Sequence, residues 1–192
     1  MYKLTATLAK IIFFFIAKIE LKNTQNLPAS GGYVITCAHR GWLEIIALGI
    51  SLPRPIHFMA KKELFRRRMV AAFLTSINAF PVDRENPSPS SIKTPVKLLK
   101  SGEVVGIFPS GTRTAENAPV KRGAITIASL AKVPIVPVTY EGPADLKDVW
   151  KYRKATITIG DPFIIDSASK EEINAYTEKL NREINSAHDE NL

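Results

Sequence analysis

Cysteine is nearly absent. Cys37 is the only one in 192 residues, so no intrachain disulfide can form and no metal site can be built from several thiolates. That usage fits a reducing compartment. Internal repeats and low-complexity tracts are also missing, which leaves one globular domain as the default for a chain of this length. Membrane-spanning length is lacking too. The apolar run from Ile11 to Ala17 has seven residues, whereas a spanning helix needs about 20.

Net charge is missing from most of the chain. Residues 71–192 hold 15 basic and 15 acidic side chains. Residues 1–70 hold 11 Lys or Arg against Glu20, Glu44 and Glu63, so the whole excess of +8 sits in the first third. Such a patch attracts anionic lipid, nucleic acid or an acidic carrier protein. No nucleic-acid recognition motif accompanies it, so nucleic acid is not an expected partner. Lys3, Lys10, Lys18 and Lys22 flank the apolar run, which suits a helix lying among lipid headgroups. A helix that packs its aromatics onto the core is an equal reading. A secretory signal is set aside because Lys18 and Glu20 follow without a small-residue cleavage site. Residues 1–27 are therefore expected to form a basic, apolar, membrane-contacting helix ahead of a domain over 28–192.

What is present alternates between strand and helix patterns. Strands are expected at 32–38, 55–60, 104–108, 133–140 and 155–159. Helices are expected at 42–50, 62–76, 92–100, 122–132 and 169–187, with Pro81 to Pro95 a loop running into the third. This order implies an α/β fold with a mostly parallel or mixed central sheet flanked by helices. Ligands then gather where strands end and helices begin.

Two segments at such exits carry chemistry. His39 precedes the first helix and Glu44 lies five positions on. On a continuous helix, positions five apart diverge by about 140°, so the two meet only if His39 occupies the turn before the helix. There the carboxylate can accept the imidazole N–H, fix its tautomer and stabilise imidazolium as the other nitrogen takes a proton. The rival reading makes Glu44 only a first-turn acid favoured by the helix dipole. The segment Phe108-Pro109-Ser110-Gly111-Thr112-Arg113 turns at Gly111 and offers Arg113, whose planar fork suits phosphate. Read alone, it is also a plain turn with a surface arginine. Ser110 lacks the Gly-x-Ser-x-Gly setting of a hydrolase nucleophile. Cys37 shares a strand face with His39; a small apolar core residue is preferred to an acyl-enzyme nucleophile. Lys61 and Lys62 stand at a strand exit, and Arg66-Arg67-Arg68 suit anionic headgroups.

In this order the segments resemble the glycerolipid acyltransferase family, the lysophosphatidate acyltransferases in particular. His39 to Glu44 resembles the family's His-x4-Asp, with Glu in place of Asp. Lys61-Lys62-Glu63-Leu64 resembles the second motif, without the Pro and Gly that usually follow. Asn78-Ala79-Phe80-Pro81-Val82-Asp83-Arg84 approaches the third, with Asn78 for Gly. Phe108 to Thr114 resembles Phe-Pro-Glu-Gly-Thr-Arg-Ser, with Ser110 for Glu. Lys121-Arg122-Gly123 matches a downstream Lys-x-Gly, and Val133 to Val138 is the final Val-Pro-Ile-Val-Pro-Val. The resemblance implies acyl transfer from acyl-CoA or an acyl carrier protein to a lysophospholipid, giving phosphatidate for phospholipid biosynthesis. By the same resemblance His39 is the base, Glu44 orients it, and Lys61 stabilises the oxyanion or donor. Arg84, Ser110, Gly111, Thr112, Arg113 and Lys121 contact the acceptor. It implies no cofactor and no metal. The basic, apolar start of the chain implies an anionic membrane surface as partner and a peripheral or monotopic place on the cytoplasmic face of the cell membrane. Alternatives are another lysolipid or lipid acceptor, a thioesterase or phospholipase using water, and a non-catalytic basic lipid-binding protein on the same scaffold.

Overall fold

The computed structural model describes residues 18–38, 41–83, 89–108, 122–152, 154–165 and 169–189. Its centre is a seven-stranded sheet. The strands are β1 (Lys18–Lys22), β2 (Tyr33–Cys37), β3 (Ile56–Lys61), β4 (Ala79–Val82), β5 (Val104–Gly106), β6 (Ile135–Glu141) and β7 (Lys154–Ile159). Their spatial order is β1-β7-β6-β2-β5-β3-β4. From β6 to β4 every neighbouring pair is parallel; β7 runs antiparallel to β6, and β1 lies parallel to β7. The α-helices among the described residues are α1 (Trp42–Ser51), α2 (Arg68–Ser76), α3 (Pro89–Lys100), α4 (Gly123–Ala131) and α5 (Lys170–Asp189).

Strand β2 shows why both faces are covered. All five of its residues are buried, as a central strand of a parallel sheet requires. Tyr33, Ile35 and Cys37 join one core cluster with Leu43, Ala47 and Leu48 of α1. Val34 joins the other with Leu99 of α3, Ala124 and Ala128 of α4, and Leu180 and Ile184 of α5. Each fully buried Leu or Ile stabilises by about 1.5–3 kcal/mol relative to exposure. Helix α5 lays Ile173, Tyr176, Leu180 and Ile184 along one stripe, three and four residues apart. Ser169 caps it by accepting from the Glu172 amide at 3.3 Å, while its hydroxyl donates to the Glu172 carboxylate.

Four differences from the sequence reading have physical causes. The helix expected over 1–27 does not extend to its end: Lys18–Lys22 is an edge strand and Thr24–Asn26 a 3-10 turn. Ile19 and Leu21 alternate inward and pack on the core, and Glu20 pairs with Lys154 of β7. Residues 1–17 lie outside the described residues. Strand β4 falls where a loop was read from Pro81. Its Pro81 is exposed, and β4 is the sheet's outer strand, a place where a missing N–H costs no ladder bond. The helix expected over 62–76 is a 3-10 turn at Lys62–Arg66 followed by α2. Helix α3 starts at Pro89, earlier than expected, with proline at its first position, where no N–H is needed.

Candidate active site

The parallel register brings the sequence segments to one edge. Ile35 of β2 pairs with Gly106 of β5, and Phe58 of β3 pairs with both Gly106 and Ala79 of β4. Strands β2, β5, β3 and β4 therefore end side by side, spread over roughly 15 Å at about 4.8 Å per neighbour. The chain leaving β2 crosses to β3 on one side, and the chain leaving β5 crosses to β6 on the other. The carboxyl edge thus holds a topological switch point, where open α/β sheets bind ligands. His39 follows β2 by two residues, Lys61 ends β3, Arg84 follows β4 by two, and Ser110 to Arg113 follow Phe108 beyond β5. His39, Arg84, Ser110, Gly111, Thr112, Arg113 and Lys121 themselves lie outside the described residues.

Glu44 is described, and it is 1% exposed in the first turn of α1. A carboxylate so buried requires partners or a proton. Burial first, and then the nearby Glu44 carboxylate, push the phenol of Tyr140 in β6 well above its ordinary value of 10.0. Strands β2 and β6 run there as adjacent parallel strands, Cys37 beside Val138. Cys37 is a buried member of the core cluster beneath α1, as the small-apolar reading expected.

The loop after β6 was not foreseen as part of the site. The Tyr140 hydroxyl donates to the Pro143 carbonyl at 3.1 Å. The next carbonyl, Ala144, accepts from the Leu43 amide at 3.2 Å and caps α1, whose start has no side-chain cap. Gly41 lies against the same peptide; a Cβ there would stand 2.1 Å from the Ala144 oxygen. The Gly142-Pro143 pair marks a turn in the sequence. Nothing local says that the turn closes over a helix about 100 residues earlier.

Lys61 is exposed at the end of β3, with its backbone on the carboxyl edge. Lys62 is committed elsewhere: its ammonium pairs with Asp83, the residue before Arg84, and that hydrogen bond holds it above the usual lysine range. The pair joins the exits of β3 and β4. Asn78, which stands for the family's Gly, has φ 60°, the left-handed backbone that asparagine tolerates best after glycine. His57 lies 3.6 Å from Glu103, which precedes β5, away from the carboxyl edge.

The family profile described as Acyltransferase matches residues 18–141, from β1 through β6. This chain belongs to the acyltransferase family. A 1-acyl-sn-glycerol-3-phosphate acyltransferase of Bacillus subtilis is 52% identical over 189 residues, covering 96% of this chain and 95% of the relative. One from Streptococcus pneumoniae is 40% identical over 151 residues, covering 77% of this chain and 56% of the relative. Among solved structures, the 1-acyl-sn-glycerophosphate acyltransferase PlsC of Thermotoga maritima aligns with a TM-score of 0.75 at 22% identity, covering 98% of this chain and 78% of that one. At that identity the likeness establishes the fold. The family match takes in the exits of all four motif-bearing strands, while β7 and α5 lie beyond it.

Proposed function

We propose that the chain transfers a fatty acyl group from an acyl thioester to the free hydroxyl of lysophosphatidate, giving phosphatidate. The observation that carries this reading is 52% identity across nearly all of both chains to the Bacillus subtilis 1-acyl-sn-glycerol-3-phosphate acyltransferase. The exits of β2, β3, β4 and β5, which lead in sequence to His39, Lys61, Arg84 and Arg113, lie side by side on one sheet edge and support it.

In this reading His39 removes the acceptor hydroxyl proton as the oxygen attacks the thioester carbonyl. Glu44, buried in the helix that follows, orients the imidazole and stabilises its charged form. The tetrahedral intermediate collapses, the carbon–sulfur bond breaks, and imidazolium returns its proton to the leaving thiolate. Lys61 balances the developing negative charge from the end of β3, where preorganised charge contributes most. Arg84 and Arg113 hold the acceptor phosphate, with Ser110, Gly111, Thr112 and Lys121 beside it. The donor is acyl-CoA or an acyl carrier protein. The enzyme works at an anionic membrane surface, on the cytoplasmic face, with no cofactor. No described helix is long and apolar enough to cross a membrane, and the cationic first third of the chain supports surface attachment.

Purified enzyme mixed with lysophosphatidate and either donor tests this, with His39→Ala alongside. Thiol release that needs the acceptor and vanishes in the variant is expected. Release without acceptor that still depends on His39 identifies a thioesterase instead. Release with another lysolipid only would move the acceptor assignment.

A further inference from the structure

Two exposed rims flank the exits of β2 and β5, and neither has a role in the chemistry above. The first follows β3. Leu64, Met69, Val70 and Phe73 project outward from the 3-10 turn and α2, with Met69 87% and Phe73 55% exposed. Helix α2 has no buried residue. The second follows β6. Leu146 and Trp150 project from the 3-10 turn Leu146–Lys151 and Tyr152 from the residue after it, with Trp150 95% exposed. Their inward residues share one anchor: Phe65 and Leu74 of the first rim and Val149 of the second pack on the core cluster beneath α1. The rims therefore lie on the same sheet face and rise from the same carboxyl edge. Strands β6 and β3 enclose the β2–β5 pair, so the rims stand about 15 Å apart across it.

We propose that this edge rests on an anionic lipid surface through the two rims, which straddle the chain exits bearing His39 and Ser110 to Arg113. The inference deepens the proposed function and rests on it, because a lipid acceptor must reach that edge. Charge selects the occupant. Arg66, Arg67 and Arg68 follow one another into the start of α2, with Glu63 the one acid of that stretch, while Lys62 is paired with Asp83. Arginines beside outward Met and Phe on a short helix suit headgroups below and acyl chains beyond. A solvent-facing Trp on the other rim suits the amphipathic interface zone. A second copy of the chain fits poorly, since a two-fold contact sets each surface against itself and would oppose one arginine cluster with the other.

Residues 1–17 carry basic and apolar side chains of their own, so vesicle binding alone does not report on these rims. Trp150 emission does. The test uses full-length enzyme with phosphatidylcholine vesicles, with and without phosphatidylglycerol. A blue shift that requires the anionic lipid, and that disappears in Trp150→Phe, is expected. Phe73→Ser and Trp150→Ser should each weaken partitioning about tenfold, and Arg67→Glu at least fivefold. These side chains are exposed, so melting temperatures should stay unchanged. Turnover of short-chain, monomeric substrates without vesicles should also hold in all three variants, which separates docking from catalysis. An unshifted Trp150 with wild-type partitioning in the variants overturns the proposal and leaves acyl transfer standing. Rim-dependent binding by a protein that transfers no acyl group to lysophosphatidate sinks the functional reading instead. A lipid-free dimer abolished by Phe73→Ser, with vesicle binding unaltered, assigns the face to self-association and overturns the proposal.

Discussion

The Leu43 amide donates to the Ala144 carbonyl at 3.2 Å, so the loop that follows β6 caps the helix that follows β2. That one bond ties the segment between Cys37 and Glu44 to a peptide about 100 residues later. Gly41 allows the approach, since any Cβ there meets the Ala144 oxygen. Gly41→Ala must therefore shift backbone next to His39. Misplacement of about 1 Å at a reacting group costs on the order of a hundredfold. The expected result is about that loss in kcat with the far-ultraviolet circular dichroism retained.

Glu44 separates an orienting carboxylate from a first-turn acid. Glu44→Gln keeps the shape and removes the charge, and kcat should fall roughly a hundred- to ten-thousand-fold. Glu44→Asp supplies the residue of the family motif and should stay within about tenfold of wild type, its shorter reach offset by less rotamer freedom. Equal activity in all three proteins would reduce Glu44 to a helix-dipole contact, and steady-state kinetics decides.

Tyr33 and Tyr140 give the alkaline limb of stability. Burial raises both phenols above 10.0. Above about pH 10 the unfolded chain loses these protons while the folded chain keeps them. The unfolded state then binds fewer protons, so stability falls as pH rises. Tyr33→Phe and Tyr140→Phe should each flatten that fall, measured by urea midpoints across the alkaline range. At neutral pH the two should diverge. The Tyr33 hydroxyl is buried without a partner, so its removal is neutral or stabilising. Tyr140→Phe loses the bond to Pro143 and should cost about 1 kcal/mol.

Arg54 fastens the opposite edge of the sheet. Its guanidinium donates to the Gly31 carbonyl at 2.6 Å and to the Gly102 carbonyl, and it lies 5.3 Å from the Tyr33 ring centroid. Both glycines sit in positive-φ turns. Arg54→Ala should cost about 2 kcal/mol and lower the melting temperature by roughly 4–8 °C. Activity per folded molecule should hold, because the site lies at the other end of the strands.

Asn78 is a backbone test at the third motif. With φ at 60°, Asn78→Gly should fall within about 0.5 kcal/mol of wild type, while Asn78→Val should cost about 1–2 kcal/mol. Chemical denaturation measures both.

Local pattern made several elements legible in advance. Val104 to Phe108 reads as a buried strand and contains β5 over Val104–Gly106, and the helix expected over 42–50 is α1, Trp42–Ser51. Strand β1 was hidden, because a short run of alternating charged and apolar residues next to an apolar stretch looks like continued helix. Strand β4 was hidden by Pro81, which reads locally as a breaker and is accommodated here by the outer position of β4. Edge position is a property of the sheet and of no single segment.

The sequence by itself determined the α/β alternation, the chemistry available at His39, Glu44 and the arginines, and the uneven charge. These depend on residue type and near-neighbour spacing. Only the tertiary structure decided that β5 inserts between β2 and β3, because pairing across about 70 residues depends on which faces bury together. It alone committed Lys62 to Asp83, closed the Ala144 loop over α1, and packed Phe65, Leu74 and Val149 on one core cluster. Each of those is a long-range contact, and long-range contacts are fixed by the packing of the whole core.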